Sequence, residues 1–144
     1  MGKTFFKISF LTLLFLLPPN NIFANIVLKT PLNGSTVTDT NVLFEWEKED
    51  ESQNYIYRHD YGFDLNFSLY MPHGNLTENH ISRWLPNYRI IYWRIKYHPV
   101  STFEGTYDHV SDIFVFGINK EVSEEELEKV MLKNNKDKED EEQI

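Results

Sequence analysis

The sequence predicts an all-β fold in which two antiparallel sheets pack face to face as a sandwich. Apolar and polar residues alternate with a period of two in several separate segments. Turn-forming residues separate these segments, and residues 25–118 contain no stretch with the spacing of an amphipathic helix. A chain of 144 residues has the size of one compact domain, which excludes a multidomain enzyme.

The first 24 residues have the layout of a secretory signal peptide. Lys3 and Lys7 precede an uncharged apolar run over residues 8–17, and two prolines separate this run from the small residue Ala24. As a helix, the run spans only about half of a ~30 Å hydrocarbon core, so a transmembrane helix is the weaker interpretation. A buried core helix is a further alternative. We expect cleavage after Ala24 and a secreted, periplasmic or cell-envelope protein.

Five segments of the mature chain are the candidate strands. The first is short and apolar and the other four alternate; they are residues 26–28, 42–46, 63–70, 91–98 and 114–118. Turn signals lie between them at residues 33–34, 72–75, 86–87 and Gly105. Period-two alternation predicts sheets with one buried and one exposed face. Residues 47–62 stay unplaced, because residues 55–58 fit either a strand or a long loop.

The composition changes near Asn119, which separates a sandwich over residues 25–118 from a tail over residues 119–144. The tail contains no aromatic residue. The capping-box pair Ser123 and Glu126 precedes an apolar helical face, which predicts a short helix over about residues 124–133. Beyond it, the acidic remainder has almost nothing to bury, so we expect disorder. A solvated end, a docking segment and a linker all fit this tail.

Charge and cysteine content exclude several classes of function. The chain has no cysteine, which excludes disulfides, thiolate catalysis and zinc-thiolate sites. Its formal net charge is -8 and its pI is about 5.1. Because a phosphate surface repels such a protein, non-specific binding to nucleic acid or to an anionic membrane is disfavoured.

Three motifs in the sandwich segment occur in a recognisable order. Residues 28–38 combine a proline with a glycine turn and lead into a Phe-Glu-Trp strand at residues 44–46. Residues 85–95 combine a Leu-Pro-Asn turn with a Tyr-Trp-Arg-Ile strand, and residues 111–118 form a serine-to-phenylalanine closing strand. Together they resemble the fibronectin type III-like, immunoglobulin-like domains common in bacterial exported proteins. The resemblance covers about residues 26–118.

The resemblance implies a core built around two tryptophans that lie between the sheets. The implied core residues are Phe44, Trp46, Ile91, Trp93, Ile95, Phe114 and Phe116. Residue spacing independently places Phe44 with Trp46 on one face of a strand. The sequence departs from the family at Ile91, where members often carry a corner tyrosine, so the corner hydrogen bond is expected to be absent.

Candidate catalytic and metal-binding residues form no recognisable pattern. His59 adjoins Asp60 and Asp108 adjoins His109, but neighbours on a strand point to opposite faces and cannot bind one ion. The sequence contains no HExxH motif, no glycine-rich phosphate loop and no GxSxG elbow. We therefore predict no catalytic residue, no metal site and no cofactor.

A surplus of aromatic side chains outside the expected core is the best candidate for a binding surface. If Ile91, Trp93 and Ile95 face inward, their neighbours on the same strand face outward, and other aromatic residues lie in or beside loops. Tyrosine combines apolar area with a hydrogen-bonding tip, which suits glycan or protein binding. The candidate ligand-binding residues are Tyr92, Arg94, Tyr88, Tyr57 and Trp84. The alternative is that the tyrosines pack sheet edges and loop bases; Trp84 fits either interpretation.

The sequence therefore favours a non-catalytic exported interaction or spacer module at the cell envelope or outside the cell. Its expected partner is a protein or a glycan, without nucleic acid and without a membrane span once the signal peptide is removed. The alternative function is a carbohydrate-binding module or a small glycan-acting protein that uses exposed tyrosines. A third possibility is a partner subunit whose tail helix docks on another protein.

Overall fold

The computed structural model describes residues 26–48, 50–101 and 106–143. The predicted signal peptide lies outside these ranges. They contain nine strands and one helix: β1 (Ile26–Thr30), β2 (Thr36–Val37), β3 (Asn41–Lys48), β4 (Tyr55–Gly62), β5 (Tyr70–Leu76), β6 (His80–Trp84), β7 (Ile90–Pro99), β8 (His109–Val110), β9 (Phe114–Ile118) and α1 (Glu124–Glu142). None of the helical structure described here is both long and apolar enough to cross a bilayer.

The strands form a β-rich sandwich of two sheets. The small sheet has the order β1-β3-β6, and the large sheet has the order β2-β9-β7-β4-β5 with β8 paired to β7. Neighbouring strands are antiparallel, except for β2, which runs parallel to β9. This arrangement confirms the predicted all-β fold at the level of two packed sheets.

The core lies between the two sheets and is rich in aromatic residues. The expected core residues Phe44, Trp46, Ile91, Trp93, Ile95 and Phe116 are all fully buried, and Phe114 is half-buried against them. Alternate residues of β3 point inward, as period-two spacing requires. The Phe44 ring of the small sheet lies 5.0 Å from Trp93 and 5.8 Å from Phe116 of the large sheet. These edge-to-face contacts join the layers.

The strand predicted over residues 63–70 is wrong. The chain turns there around Asp64, whose Oδ1 accepts hydrogen bonds from the backbone N–H groups of Asn66 and Ser68 at 2.9 and 3.3 Å. Phe67 has a φ of 53°, which a strand residue does not adopt. The segment with alternating apolar and polar residues therefore forms an aspartate-capped turn and not a strand.

Residues 72–75, predicted as a turn, lie inside β5, so that prediction is also wrong. Pro72 is tolerated because β5 is the edge strand of the large sheet, where a missing N–H leaves no ladder bond unmade. The uncertain residues 55–58 belong to β4, a central strand between β5 and β7.

The C-terminal helix begins as predicted but is longer. Ser123 Oγ accepts from the backbone N–H of Glu126 at 3.1 Å, and the Ser123 N–H donates to the Glu126 carboxylate at 3.0 Å. The helix continues to Glu142, so the predicted end near Lys133 and the predicted disorder of the acidic tail are wrong. Val130 is fully buried, so α1 packs on the outer face of the large sheet and forms a second apolar cluster there.

Candidate functional site

The five residues expected to form a ligand-binding surface do not lie together. Tyr57 is buried between the sheets, and Tyr92 is only 9% exposed on the outer face of the large sheet. Trp84 ends β6 of the small sheet and is 74% exposed, whereas Tyr88 lies in the turn before β7 and is 69% exposed. Arg94 is half-buried on the outer face of the large sheet.

The expected exposure of Tyr92 and Tyr57 is therefore wrong, for two different reasons. Alternation assigns Tyr92 to the outer face correctly, but α1 covers that part of the face. Tyr57 belongs to a strand that the sequence left unplaced, and its ring packs 5.5 Å from Trp46. Periodicity identifies the face of a sheet and says nothing about what covers it.

Four charged side chains form a square on the outer face of the large sheet. Arg58 of β4 lies directly opposite Lys96 of β7, and Asp60 lies directly opposite Arg94. Because residues two apart on a strand share a face, all four side chains project from the same side. We call these four residues the charged square.

Asp60 fixes both arginines of the charged square. Its carboxylate is fully buried, and Arg58 donates to it twice, from Nε to Oδ1 at 2.7 Å and from Nη2 to Oδ2 at 2.9 Å. Arg94 Nε donates to Oδ2 at 3.1 Å. Charge-assisted and bidentate hydrogen bonds of this kind hold a guanidinium in one orientation. The arginine side chains are thereby positioned before any ligand arrives.

Aromatic rings surround the charged square. The Arg94 guanidinium carbon lies 4.0 Å from the centre of the Phe67 ring. The guanidinium carbon of Arg58 lies 5.6 Å from the centre of the Tyr70 ring and 5.3 Å from that of Tyr107. These cation–π contacts limit the motion of both arginines, and the tyrosines add apolar surface beside them.

Lys96 is the least compensated member of the charged square. Within the described ranges, its ammonium group forms no ion pair. Partial burial lowers the pKa of Lys96 below its usual value, and Arg94 and Arg58 add to this effect while Asp60 opposes it. With three cations and one carboxylate, the charged square has an excess positive charge of two.

Comparison with known proteins gave no match to a family model, a curated protein or a solved structure. The chemistry of the charged square and of its surroundings therefore has to support any functional interpretation.

The neighbour of Asp60, His59, points into the core and forms a separate buried cluster. Its Nδ1 lies 3.1 Å from Arg83 Nη1, and its ring centre lies 4.1 Å from that of Phe44. Because a guanidinium only donates, Nδ1 accepts and the ring proton lies on Nε2. Burial, followed by the charges of Arg83 and His73, holds the pKa of His59 well below 6.5. His59 is therefore neutral.

His59 and Asp60 are not placed to bind one metal ion together. His59 and Asp60 project to opposite sides of β4, as the sequence predicted for strand neighbours. In the portion of the chain that the structure describes, no group of three or more histidine, aspartate or glutamate residues is arranged to hold a metal ion.

A cavity of about 410 Å³ opens at the end of the sandwich where the β3–β4 and β5–β6 turns meet. The polar residues of its lining include Glu47, Lys48, Glu51, Asn54 and Glu78, and Tyr57 lies beside them. Burial raises the pKa of Tyr57 to about 12, with smaller contributions from Tyr55 and Glu51. Its phenol is therefore a hydrogen-bonding group that stays protonated beside a polar cavity.

The sequence pointed to Arg94 but missed the other members of the charged square. Period-two spacing in residues 91–98 places Arg94 and Lys96 on one outward face, so half of the square was present in that pattern. Arg58 and Asp60 show the same spacing in a segment that was not assigned to a strand. Only the pairing of β4 with β7 brings the two halves together.

Proposed function

We propose that this chain is an exported, non-catalytic interaction module of the fibronectin type III-like class that binds an acidic protein partner. One observation carries the proposal: an excess positive charge of two is held half-buried and oriented in a chain whose net charge is -8. Like charges placed opposite each other on a sheet destabilise it. A complementary acidic surface would compensate that cost, which gives the charged square a role in binding.

The strand order supports a fibronectin type III-like, immunoglobulin-like sandwich. In such folds the second strand pairs with the first and the fifth, and the strand before the last pairs with the third and the last. Here β3 pairs with β1 and β6, and β7 pairs with β4 and β9. The expected signal peptide over residues 1–24 supports export.

The surroundings of the charged square favour a protein over other partners. Arginine and tyrosine are enriched among the residues that contribute most to protein interfaces. Tyr70 is 40% exposed, and the centre of its ring lies 6.0 Å from the Arg94 guanidinium carbon, so it adds apolar area on the same face as the charged square. An acidic protein surface supplies carboxylates together with apolar contacts, whereas a nucleic acid presents a continuous row of phosphates to a chain of net charge -8.

A non-catalytic role agrees with how the titratable groups near the square are used. Asp60 is fully buried and accepts three hydrogen bonds from Arg58 and Arg94, so its carboxylate is not open to a ligand that would need a base. His59 is fully buried and faces the core. Neither group is positioned to exchange a proton with a ligand on the outer face.

The proposal is tested with a fluorescently labelled hexaglutamate peptide and the purified protein. We expect saturable binding by fluorescence anisotropy at low salt, and weaker binding as salt screens the charges. Lys96→Gln should weaken binding about tenfold, because a contact to a charged group contributes ~1.5 kcal/mol. Hexaglutamine is the neutral peptide control. Lys29→Gln, which removes a cation from the small sheet, is the matched protein control.

If Lys96→Gln and Lys29→Gln weaken peptide binding equally, the binding is non-specific charge attraction and the proposal is overturned. Binding of an oligogalacturonate but not of hexaglutamate would instead assign the face to an acidic glycan. Thermal unfolding of each variant checks that the fold is intact.

A second candidate function, neutral glycan binding, is favoured by the cavity at the end of the sandwich. Carboxylates, an amide and the Tyr57 phenol line a volume of about 410 Å³, which suits one or two sugar rings. A glycan array with the purified protein tests this candidate. Binding lost in Glu78→Gln and retained in Lys96→Gln would support it, and a blank array would reject it.

A further inference from the structure

The geometry points to a subsite in the charged square for one oxyanion of the partner, held between the guanidinium of Arg94 and the ammonium of Lys96. The oxyanion is a side-chain carboxylate or the phosphate of a modified side chain, which share the same recognition chemistry. This inference rests on the proposed function and names the group that the face binds.

Arg94 has hydrogen-bond donors that are free to bind the oxyanion. Arg58 uses Nε and Nη2 on Asp60, whereas Arg94 uses only Nε. Throughout the described ranges, no hydrogen bond occupies the two terminal nitrogens of Arg94. A guanidinium edge with two parallel N–H donors is the group that binds carboxylate and phosphate in a bidentate manner.

The orientation of Arg94 also favours binding of the oxyanion. Its guanidinium stacks 4.0 Å from the centre of the Phe67 ring, and Phe67 is itself buried in the cluster that α1 covers. Stacking uses the face of the guanidinium and leaves its edge for hydrogen bonds in the plane. With Nε bound to Asp60, the remaining edge has little rotational freedom to lose on binding.

The uncompensated positive charge of Lys96 favours a bound anion as well. Among the described residues, Asp60 is the only carboxylate whose charge acts on Lys96, and it is outweighed by Arg94 and Arg58. Asp60 already shares its single negative charge with Arg58 and Arg94, from which it accepts three hydrogen bonds. The missing negative charge has to come from outside the square. A bound oxyanion would supply it and would restore the pKa of Lys96 toward its ordinary value.

The experiment titrates the isotopically labelled protein with sodium acetate and with sodium phosphate, against sodium chloride at matched ionic strength. We expect saturable millimolar changes in the NMR amide shifts of Arg58, Arg94 and Lys96 with at least one of the two oxyanions. Lys96→Gln and Arg94→Lys should each weaken this binding at least fivefold. Lys29→Gln should leave it unchanged. A glutamate peptide and a matched phosphoserine peptide then identify which source binds more tightly.

Shifts that are equal in chloride, or that persist in Lys96→Gln, overturn the subsite. If hexaglutamate still binds in a Lys96-dependent manner while neither oxyanion saturates, the subsite fails and the proposed function stands. If an oxyanion saturates while neither peptide binds, the subsite stands and the proposed function fails. Preserved amide spectra outside the square show that each variant is folded.

Discussion

Asn134 of α1 binds the backbone of Ile113 through both ends of its side-chain amide. Its Oδ1 accepts from the Ile113 N–H at 2.7 Å, and its Nδ2 donates to the Ile113 carbonyl at 2.9 Å. Ile113 precedes β9, so the amide takes the place of a neighbouring strand. One turn later, Lys138 pairs with Asp112 at 3.3 Å. Polar contacts therefore hold the helix on the sheet beyond the point where its apolar residues end.

Asn134→Ala should destabilise the fold by about 2 kcal/mol, because it leaves a buried donor and acceptor of Ile113 without partners. Urea unfolding measures the change. Asn135→Ala, at an exposed neighbouring position, is the control and should have little effect. An equal, small effect in both variants would contradict the anchoring role of Asn134.

Gly117→Ala should prevent stable folding or reduce stability by more than about 3 kcal/mol. A Cβ atom at Gly117 would lie 1.7 Å from the carbonyl oxygen of Lys120 and 3.3 Å from the Ile90 side chain. Since the first contact is with backbone, no rotamer change relieves it. Thermal unfolding checks this, with Thr38→Ala as an exposed control. A melting temperature within a few degrees of the parent protein would show that the close approach is not required.

The stability of the protein should fall as the pH falls below about 6.5. The pKa of His59 is lower when folded than when unfolded, so the unfolded chain binds more protons in this range. Its contribution is complete above the unfolded pKa and is lost on acidification. Urea unfolding between pH 8 and 5 measures the slope. His59→Gln should flatten the slope, whereas the exposed His80→Gln should not. The same slope in all three proteins would exclude His59 as its origin.

Tyr57 should ionise at a higher pH than an ordinary exposed tyrosine. Its pKa is raised to about 12, mainly by burial. Because the folded pKa lies above the unfolded value, this group stabilises the fold below about pH 10, and that contribution is lost as the pH rises toward 12. Ultraviolet absorbance of the phenolates follows their ionisation as the pH rises. Tyr57→Phe should remove a step near pH 12 that the exposed Tyr88→Phe retains; an unchanged step near pH 12 in Tyr57→Phe would contradict the assignment.

Strands could be predicted from the sequence where alternation reflects burial, but alternation did not distinguish such a strand from a turn capped by a side chain. Residues 91–98 alternate because Ile91, Trp93 and Ile95 face the core. Residues 63–70 show the same pattern, but there the Asp64 carboxylate accepts hydrogen bonds that hold the backbone in a turn. One sequence pattern therefore has two physical origins, and tertiary contacts decide between them.

The helix and the candidate site were incompletely predicted because both depend on contacts between distant segments. The acidic tail lacks the apolar residues that signal a packed helix, and its anchor is the amide of Asn134 on Ile113. The charged square requires the register that places Arg58 opposite Lys96, across about forty residues of sequence. Local periodicity supplied Arg94 and Lys96 alone, since it carries no information on strand pairing.

Lys96→Gln should stabilise the protein by about 0.5 kcal/mol, with the largest gain at low salt, while it weakens anion binding. The side chain is partly buried opposite Arg58, and like charges that face each other across a strand pair repel. Urea unfolding at low and high salt measures the gain, which should shrink as salt screens the repulsion. Lys29→Gln removes an exposed ion pair with Glu47 and should give no such gain. A residue whose removal increases the stability of the fold is typically one kept for binding. Destabilisation by Lys96→Gln would instead show that Lys96 contributes to the stability of the fold.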